Sequence, residues 1–454
     1  MFVQIKSYMN FGAICFVILI LFSGTLFSQK HPGQNGSLND REIEMAQVAW
    51  KYFENNYQIE TGLVNSVQDY PSTTLWDTGS YLAALVSAYE LELIDLKEFD
   101  KRMKALIKTM LNLKFFRDEL PNKVYHTKTA EKVNYANQPG EIGYSALDLG
   151  RFLMWWFIIK NLFPEYADDM DKFIIKWRWC NILDSTGTMY GGSFDDRNNV
   201  KYLQEGRLGY EEYAAKGFRL WGFNTERASK LEPYETRIEY DIEIPYDKRD
   251  PRVLGAHNYI VTESWVLDGI EMNWDLPEDY KSNDMEFTDY QIADIAQRVY
   301  KIQEERYKRT SILTARTEHQ LDGPPYFVYD VIYTDGYFWN TITEDGKYVP
   351  QYAAVALKGA LGLWGLWKTP YTNFLFDYIF PYRDINKGFY EGVYENGNGF
   401  IKTFTCNNNG IMLEILLYKV KGKLLKRSFR QGLWEDHVKS VKNDVNCINS
   451  RLRK

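Results

Sequence analysis

Four times along this chain a polar turn carrying glycine or asparagine runs into an apolar helical stretch. An aromatic, a carboxylate or an amide sits at each junction. In Leu75-Trp76-Asp77-Thr78-Gly79-Ser80-Tyr81 the turn leads into Leu82, Leu85, Val86 and Tyr89, spaced for one face of a helix. Asp77 or Thr78 is placed to cap the first turn, because a side-chain oxygen there accepts from unsatisfied backbone N–H groups. Gly140-Glu141-Ile142-Gly143-Tyr144-Ser145 opens a helix from Ala146 to Ile159. Gly209-Tyr210-Glu211-Glu212-Tyr213 opens Ala214 to Trp221, and Asn407-Asn408-Asn409-Gly410 opens Ile411 to Val420. Helices of this kind bury their apolar sides against one another. Their acidic and aromatic mouths are then expected to meet at one shared cavity.

Helical spacing also predicts elements over 40–55, 96–114, 166–182, 257–270, 287–307, 351–366 and 371–379. Alternation at Ile238, Tyr240, Ile242 and Ile244 predicts a short strand pair. Residues 314–350 are the least helical, with Phe327, Tyr329, Ile332, Tyr333 and Tyr337 as strand formers and Asp335-Gly336 as a turn signal. No 34- or 40-residue repeat is visible, which argues against a helical solenoid. The expected fold class is all-α: an (α/α)6 toroid of about twelve helices, with long loops and a few short strands on the cavity face.

The first 28 residues read as a signal peptide, with Lys6 before the apolar run Phe11–Phe27 and Ser28 before a cleavage point. Export to the periplasm or beyond is expected, with no stable membrane span after processing. Residues 29–39 read as a flexible leader, 40–425 as one toroid domain and 426–454 as a basic, partly solvated tail. A net charge of −7 over 454 residues, without a basic stripe in the body, excludes nucleic acid as the main partner. Cys180, Cys406 and Cys447 remain after processing, an odd number without zinc-site spacing, so Cys180 and Cys406 read as buried apolar residues.

Aromatic residues make up 16% of the chain, including 34 Tyr and 13 Trp. Their flat apolar faces with one polar handle suit sugar rings. Most must belong to the core, but a minority can line a groove. Glycoside hydrolysis needs two carboxylates across the scissile bond, one of them protonated. Glu211, between tyrosines at a helix mouth, is the expected acid, with Asp77 or Glu391 as the second carboxylate. Trp76, Tyr144, Tyr210 and Tyr390 are expected sugar platforms. Tyr81, Glu141, Glu318 and Glu395 join the candidate substrate contacts. Dipole stabilisation or capping explains Glu211 and Asp77 equally simply. Glu318 could instead pair with Arg316, and Asp148 is spaced to pair with Arg151. Glu414, inside an apolar helix, reads as a buried glutamate with a structural partner.

Other chemistries find less support. No GxSxG elbow, Walker A loop or HExxH helix occurs. The five histidines are scattered, so no metal site and no cofactor are expected. His257-Asn258-Tyr259 is the one compact lyase candidate, and a cap at a helix start accounts for it. Asp195-Asp196 with Asn198 could hold calcium but reads more simply as a solvated turn.

The four helix-mouth segments, with Gly388-Phe389-Tyr390-Glu391-Gly392 and Ile411-Met412-Leu413-Glu414, resemble in order and spacing the bacterial family called domain of unknown function 3131. The likeness spans roughly residues 40–425. It implies a six-hairpin toroid shaped like glucoamylase-like and endo-glucanase enzymes, without fixing an activity. The leading expectation is an exported glycoside hydrolase acting on an oligo- or polysaccharide. The alternative is a non-catalytic glycan-binding or polysaccharide-assembly protein on the same fold, with a lyase third.

Overall fold

The computed structural model describes residues 33–231, 233–249, 258–281, 287–426 and 432–440. The expected signal segment, His257 and Cys447 lie outside them. Among the described residues no helix is long and apolar enough to cross a membrane.

Six helices form an inner ring: α2 (Leu75–Glu90), α4 (Ala146–Leu162), α6 (Tyr210–Leu220), α7 (Glu263–Met272), α9 (Leu357–Leu366) and α11 (Cys406–Lys421). Each packs on the next, and α11 closes the ring on α2. Such helices are covered on all sides, and the sequence shows it: α4 is buried from Leu149 to Lys160 without a polar stripe. Gly150 and Gly217 let α4 and α6 approach closely. A Cβ on Gly217 would lie 2.1 Å from the Gly150 carbonyl oxygen, and one on Gly150 would lie 2.5 Å from the Ala214 Cβ.

The outer layer contains α1 (Asp40–Asn55), α3 (Leu96–Leu111), α5 (Ala167–Ile175), α8 (Tyr290–Thr310) and α10 (Pro370–Ile379). These are amphipathic; α3, for instance, buries Phe99, Met103, Leu106 and Met110. After α6 the chain forms an antiparallel hairpin, Tyr234–Glu239 with Ile242–Asp247, where the alternation predicted a strand pair.

Part of the segment read as a partly solvated tail is packed against the body. A twelfth helix, α12 (Leu433–Ser440), packs on α5. Its Trp434 is 3% exposed, surrounded by Trp179, Trp221 and Phe223, and donates its indole N–H to the Trp221 carbonyl at 2.9 Å. Glu435 pairs with Lys160 at 2.7 Å. Trp434→Ala is expected to cost about 3 kcal/mol of stability, measurable by urea unfolding.

The fold is mostly helical, as expected, but not purely so: the described residues are 44% helix and 18% strand. The short strands have a positional role, because several run directly into inner helices. Ser72–Thr74 pairs with Val124–His126 and ends where α2 begins. Ala354–Ala356 pairs with Gly392–Tyr394 and ends where α9 begins. His319–Gln320 pairs with Phe327–Asp330. These strands fix the approach of the chain to the mouth of the ring.

Candidate active site

The N-terminal ends of the inner helices meet on one side, as their mouths predicted, although the boundaries and caps differ. Helix α6 begins at Tyr210, and α11 begins at Cys406, so its asparagines lie inside the first turn. Thr74, not Asp77 or Thr78, caps α2 by accepting from the Asp77 N–H. Ser145 and Thr405 cap α4 and α11 in the same way. Asp77 is thereby released from capping. Its carboxylate accepts from the hydroxyls of Thr74 at 2.8 Å and Ser66 at 2.5 Å.

Asp77, Asp148 and Glu318 are part-buried side chains densely surrounded by protein near the helix mouths. Burial pushes Asp148 up to about 7, with Glu205 next to it adding repulsion. Burial also pushes Glu318 up to about 7, reinforced by Glu263 and opposed by Lys358 and Arg207. Asp77 is raised by burial, against the pull of its two hydroxyl donors. Two carboxyl groups can therefore hold protons near neutrality in one cavity. Asp148 does not pair with Arg151, and Glu318 does not pair with Arg316; both expectations are corrected. Arg151 reaches Glu271 and Glu414 instead, and Arg316 reaches Asp330 and Glu395. The structural partner expected for Glu414 is thus Arg151.

Aromatic and basic groups complete the lining. Trp76, half-buried, donates to the Asn407 side-chain oxygen at 3.2 Å and lies edge-on to Tyr210 at 5.4 Å between ring centres. The Tyr210 hydroxyl approaches Glu318. Arg207 donates to the Tyr259 hydroxyl at 2.6 Å, and its guanidinium lies over the Tyr259 and Tyr329 rings. Tyr135, 66% exposed, brings its phenol into the field of Asp148, Glu205 and Glu344.

Beneath this layer are groups closed off from solvent. Glu211 is fully buried and held by Arg249 at 2.8 Å, so the expected acid is an ion-paired support instead. Glu391 is also buried; it accepts from the Thr405 hydroxyl and the Gln320 N–H and lies near Lys358 and His319. Burial drives His319 down to about 4, so it is neutral at physiological pH.

Five further candidates lie in packed or ion-paired settings. Tyr81 lies in the core against Phe53 and Tyr57. Tyr144 is fully buried and donates to the Asn181 carbonyl. Tyr390 packs on Phe404 and Phe400 at 4.3 and 4.7 Å between ring centres. Glu141 pairs with Lys132 and Arg117. Glu395 is clasped by Arg306 and Arg316, which hold it down at about 2. The Asp195 turn is an ordinary one, its carboxylate accepting from the Arg197 and Asn199 N–H groups.

The reading of the residues missed Glu205, Arg207, Glu263 and Lys358. A lone lysine in the apolar run Leu357-Lys358-Gly359-Ala360-Leu361 was the available signal for the last. Thr262-Glu263-Ser264-Trp265 repeats the acidic, aromatic mouth pattern and could have marked Glu263.

A ring of inner helices presenting carboxylates and tyrosines at one end defines a glucoamylase-like helical scaffold. The family model for proteins of unknown function called DUF3131 matches residues 44–422, and the chain belongs to that family. No curated protein matches the chain by sequence. Among solved structures, it is similar to a glucoamylase-like protein from Bacteroides uniformis ATCC 8492, with a TM-score of 0.58 at 10% identity, covering 86% of this chain and 95% of that one. It is also similar to an endo-β-1,2-glucanase from Chitinophaga pinensis in complex with sophorotriose and glucose (TM-score 0.57, 9% identity, 86% and 94% covered). An endo-β-1,2-glucanase from Talaromyces funiculosus with sophorose gives a TM-score of 0.52 at 12% identity, with 91% and 89% covered. At these identities the likeness establishes the fold alone.

Proposed function

We propose that this protein is a glycoside hydrolase acting on a neutral polysaccharide in the cavity of an (α/α)6-type ring. Glu318 donates the proton to the glycosidic oxygen. Asp77 or Asp148 is the second carboxylate, acting on the anomeric carbon or on the attacking water. Trp76 and Tyr210 flank the bound sugar.

One observation carries this reading: Glu318 is a part-buried side chain whose carboxyl is raised to about 7 by burial, among Tyr210, Arg207, Lys358 and Glu263 at the mouth of the ring. A general acid must hold its proton at working pH and still reach its substrate. Glu395, held down at about 2 by two arginines, lacks the proton, and Glu211, fully buried behind Arg249, lacks the access. Two structural neighbours are endo-β-1,2-glucanases, which suggests β-1,2-glucan as the first polymer to try. The apolar segment at Phe11–Phe27 is the basis for placing this activity outside the cytoplasm.

The test is a panel of polysaccharides, β-1,2-glucan first, incubated with purified protein while new reducing ends are counted. Release from a neutral glucan is the expected result. Retention of a glycan without new reducing ends would replace hydrolysis with binding. Products absorbing in the ultraviolet would replace it with a lyase.

A further inference from the structure

Beneath the cavity floor runs a line of hydrogen bonds that crosses the ring. Lys358, in the first turn of α9, places its ammonium 2.5 Å from a Glu263 oxygen at the mouth of α7. The other Glu263 oxygen accepts from the Asn407 amide at 2.8 Å, at the mouth of α11. Asn407 in turn accepts from Trp76 and from the Ser80 hydroxyl on α2. Arg151 of α4 donates to Ser80 at 3.2 Å. The Lys358 backbone is itself anchored, its N–H donating to the Asn408 side chain at 3.0 Å. Lys358 and Glu263 are 6% and 3% exposed, so neither can be a surface pair of little consequence.

The pair sits where charge matters most. Lys358 faces Glu263, Glu391 and Glu318, and its field reaches Asp77 and His319. Glu318 is faced by Glu263, Lys358, Arg207 and Tyr210, with Tyr259 and Tyr329 across from it. One buried ammonium therefore serves a group of carboxylates, and its shortest contact ties it to Glu263.

We propose that the Lys358–Glu263 ion pair is the positioning device of the cavity: it holds the Glu263 carboxyl in place beneath the floor beside Glu318, where it adds to the burial that already favours the protonated Glu318. The pair touches no substrate and acts through Glu318, so this inference rests on Glu318 being the acid. Because Asn407 links Glu263 to Trp76, the pair also fixes the platform against which the sugar lies.

The signs are opposite for the two partners. Glu263→Gln removes the negative neighbour of Glu318, so Glu318 should release its proton more easily and titrate about one pH unit lower. Lys358→Met leaves Glu263 buried without its cation, so Glu263 should take up a proton. One more glutamate carboxyl than in the wild type should then titrate above about pH 6. Lys358→Arg should preserve the wild-type titration, and Lys358→Met/Glu263→Gln should lose the additional carboxyl.

The measurement is carboxyl 13C NMR titration of the full chain labelled at glutamate Cδ, with Glu318 assigned from Glu318→Gln. It needs no turnover, so it tests the ion pair even if no polysaccharide is cleaved. In parallel, the alkaline limb of kcat/KM should move down in Glu263→Gln. An unchanged Glu318 titration in Glu263→Gln would overturn the proposal, as would a folded Lys358→Met with no additional titrating glutamate. If Lys358→Met does not fold, the Glu263→Gln shift decides alone.

Discussion

Glu318→Gln is expected to lower polysaccharide cleavage by about 10²–10⁴-fold while leaving the far-ultraviolet circular dichroism unchanged. The amide has nearly the shape of the protonated carboxyl and keeps a hydrogen-bond donor, but it cannot give up a proton. Glu211→Gln should cost far less, because Glu211 lies behind Arg249 and not in the open cavity. A loss on Glu211→Gln matching that on Glu318→Gln would reverse the assignment. The pH dependence follows from the same group. Its active form is protonated, so the rate should fall as pH rises through about 7. Stability should move in the same sense. An unfolded chain holds this proton only up to about pH 4.3. The folded state binds it more tightly, so the contribution is complete below that value and is lost as pH rises through about 7. At most about 4 kcal/mol is at stake, and Glu318→Gln should flatten the dependence of the unfolding midpoint on pH over that window.

The inner helices were legible because their signals are local. Apolar spacing after a polar turn marks a buried helix wherever it docks, and the Gly150 and Gly217 contacts are written into the same motifs. The convergence of mouths was legible for a related reason, since an outer helix that returns the chain between two inner ones lets successive inner helices run the same way and puts their like ends together. Which mouth residue faces the cavity was not legible. Glu211 and Tyr210 are adjacent on α6, yet a turn of about 100° per residue sends one into an ion pair with Arg249 and the other toward Glu318. Arg249 is 38 residues away in sequence, and nothing local announces it. Tyr81, expected to touch substrate, and Tyr144, expected as a sugar platform, are both in the core, because a tyrosine packed in a core and one in a groove share the same short-range signature. Glu318 was ranked low because Arg316 is two residues away. In a strand-like approach, however, neighbours two apart share a face only if both side chains stay in the same environment, and Arg316 is drawn to Asp330 and Glu395.

Arg151→Met is expected to destabilise the protein by about 3–5 kcal/mol, enough to threaten folding at growth temperature. Arg151 is fully buried near the centre of the inner ring. Its guanidinium reaches Glu414 of α11 at 2.6 Å, Glu271 of α7 at 2.9 Å, the Tyr213 hydroxyl of α6 at 2.9 Å and Ser80 of α2 at 3.2 Å. One side chain on α4 therefore joins four other inner helices. Burial pushes both glutamates up, Glu414 well above the usual carboxylate range, and Arg151 is the cation that opposes this. Removing it leaves two acids enclosed together, and at least one must take a proton or drag in water. Methionine can fill much of the volume, so the loss should be electrostatic more than a packing defect. Neutralising the acids in the same background separates the two causes. Arg151→Met with Glu271→Gln and Glu414→Gln should recover a large part of the lost urea midpoint. Arg151→Lys should recover little, because a single ammonium cannot span the directions that the guanidinium fork serves. If the triple variant is no more stable than Arg151→Met, the arginine holds the ring by shape and not by charge. Ser80 also anchors Asn407, so loss of this fork should loosen the cavity floor and lower turnover by any folded fraction.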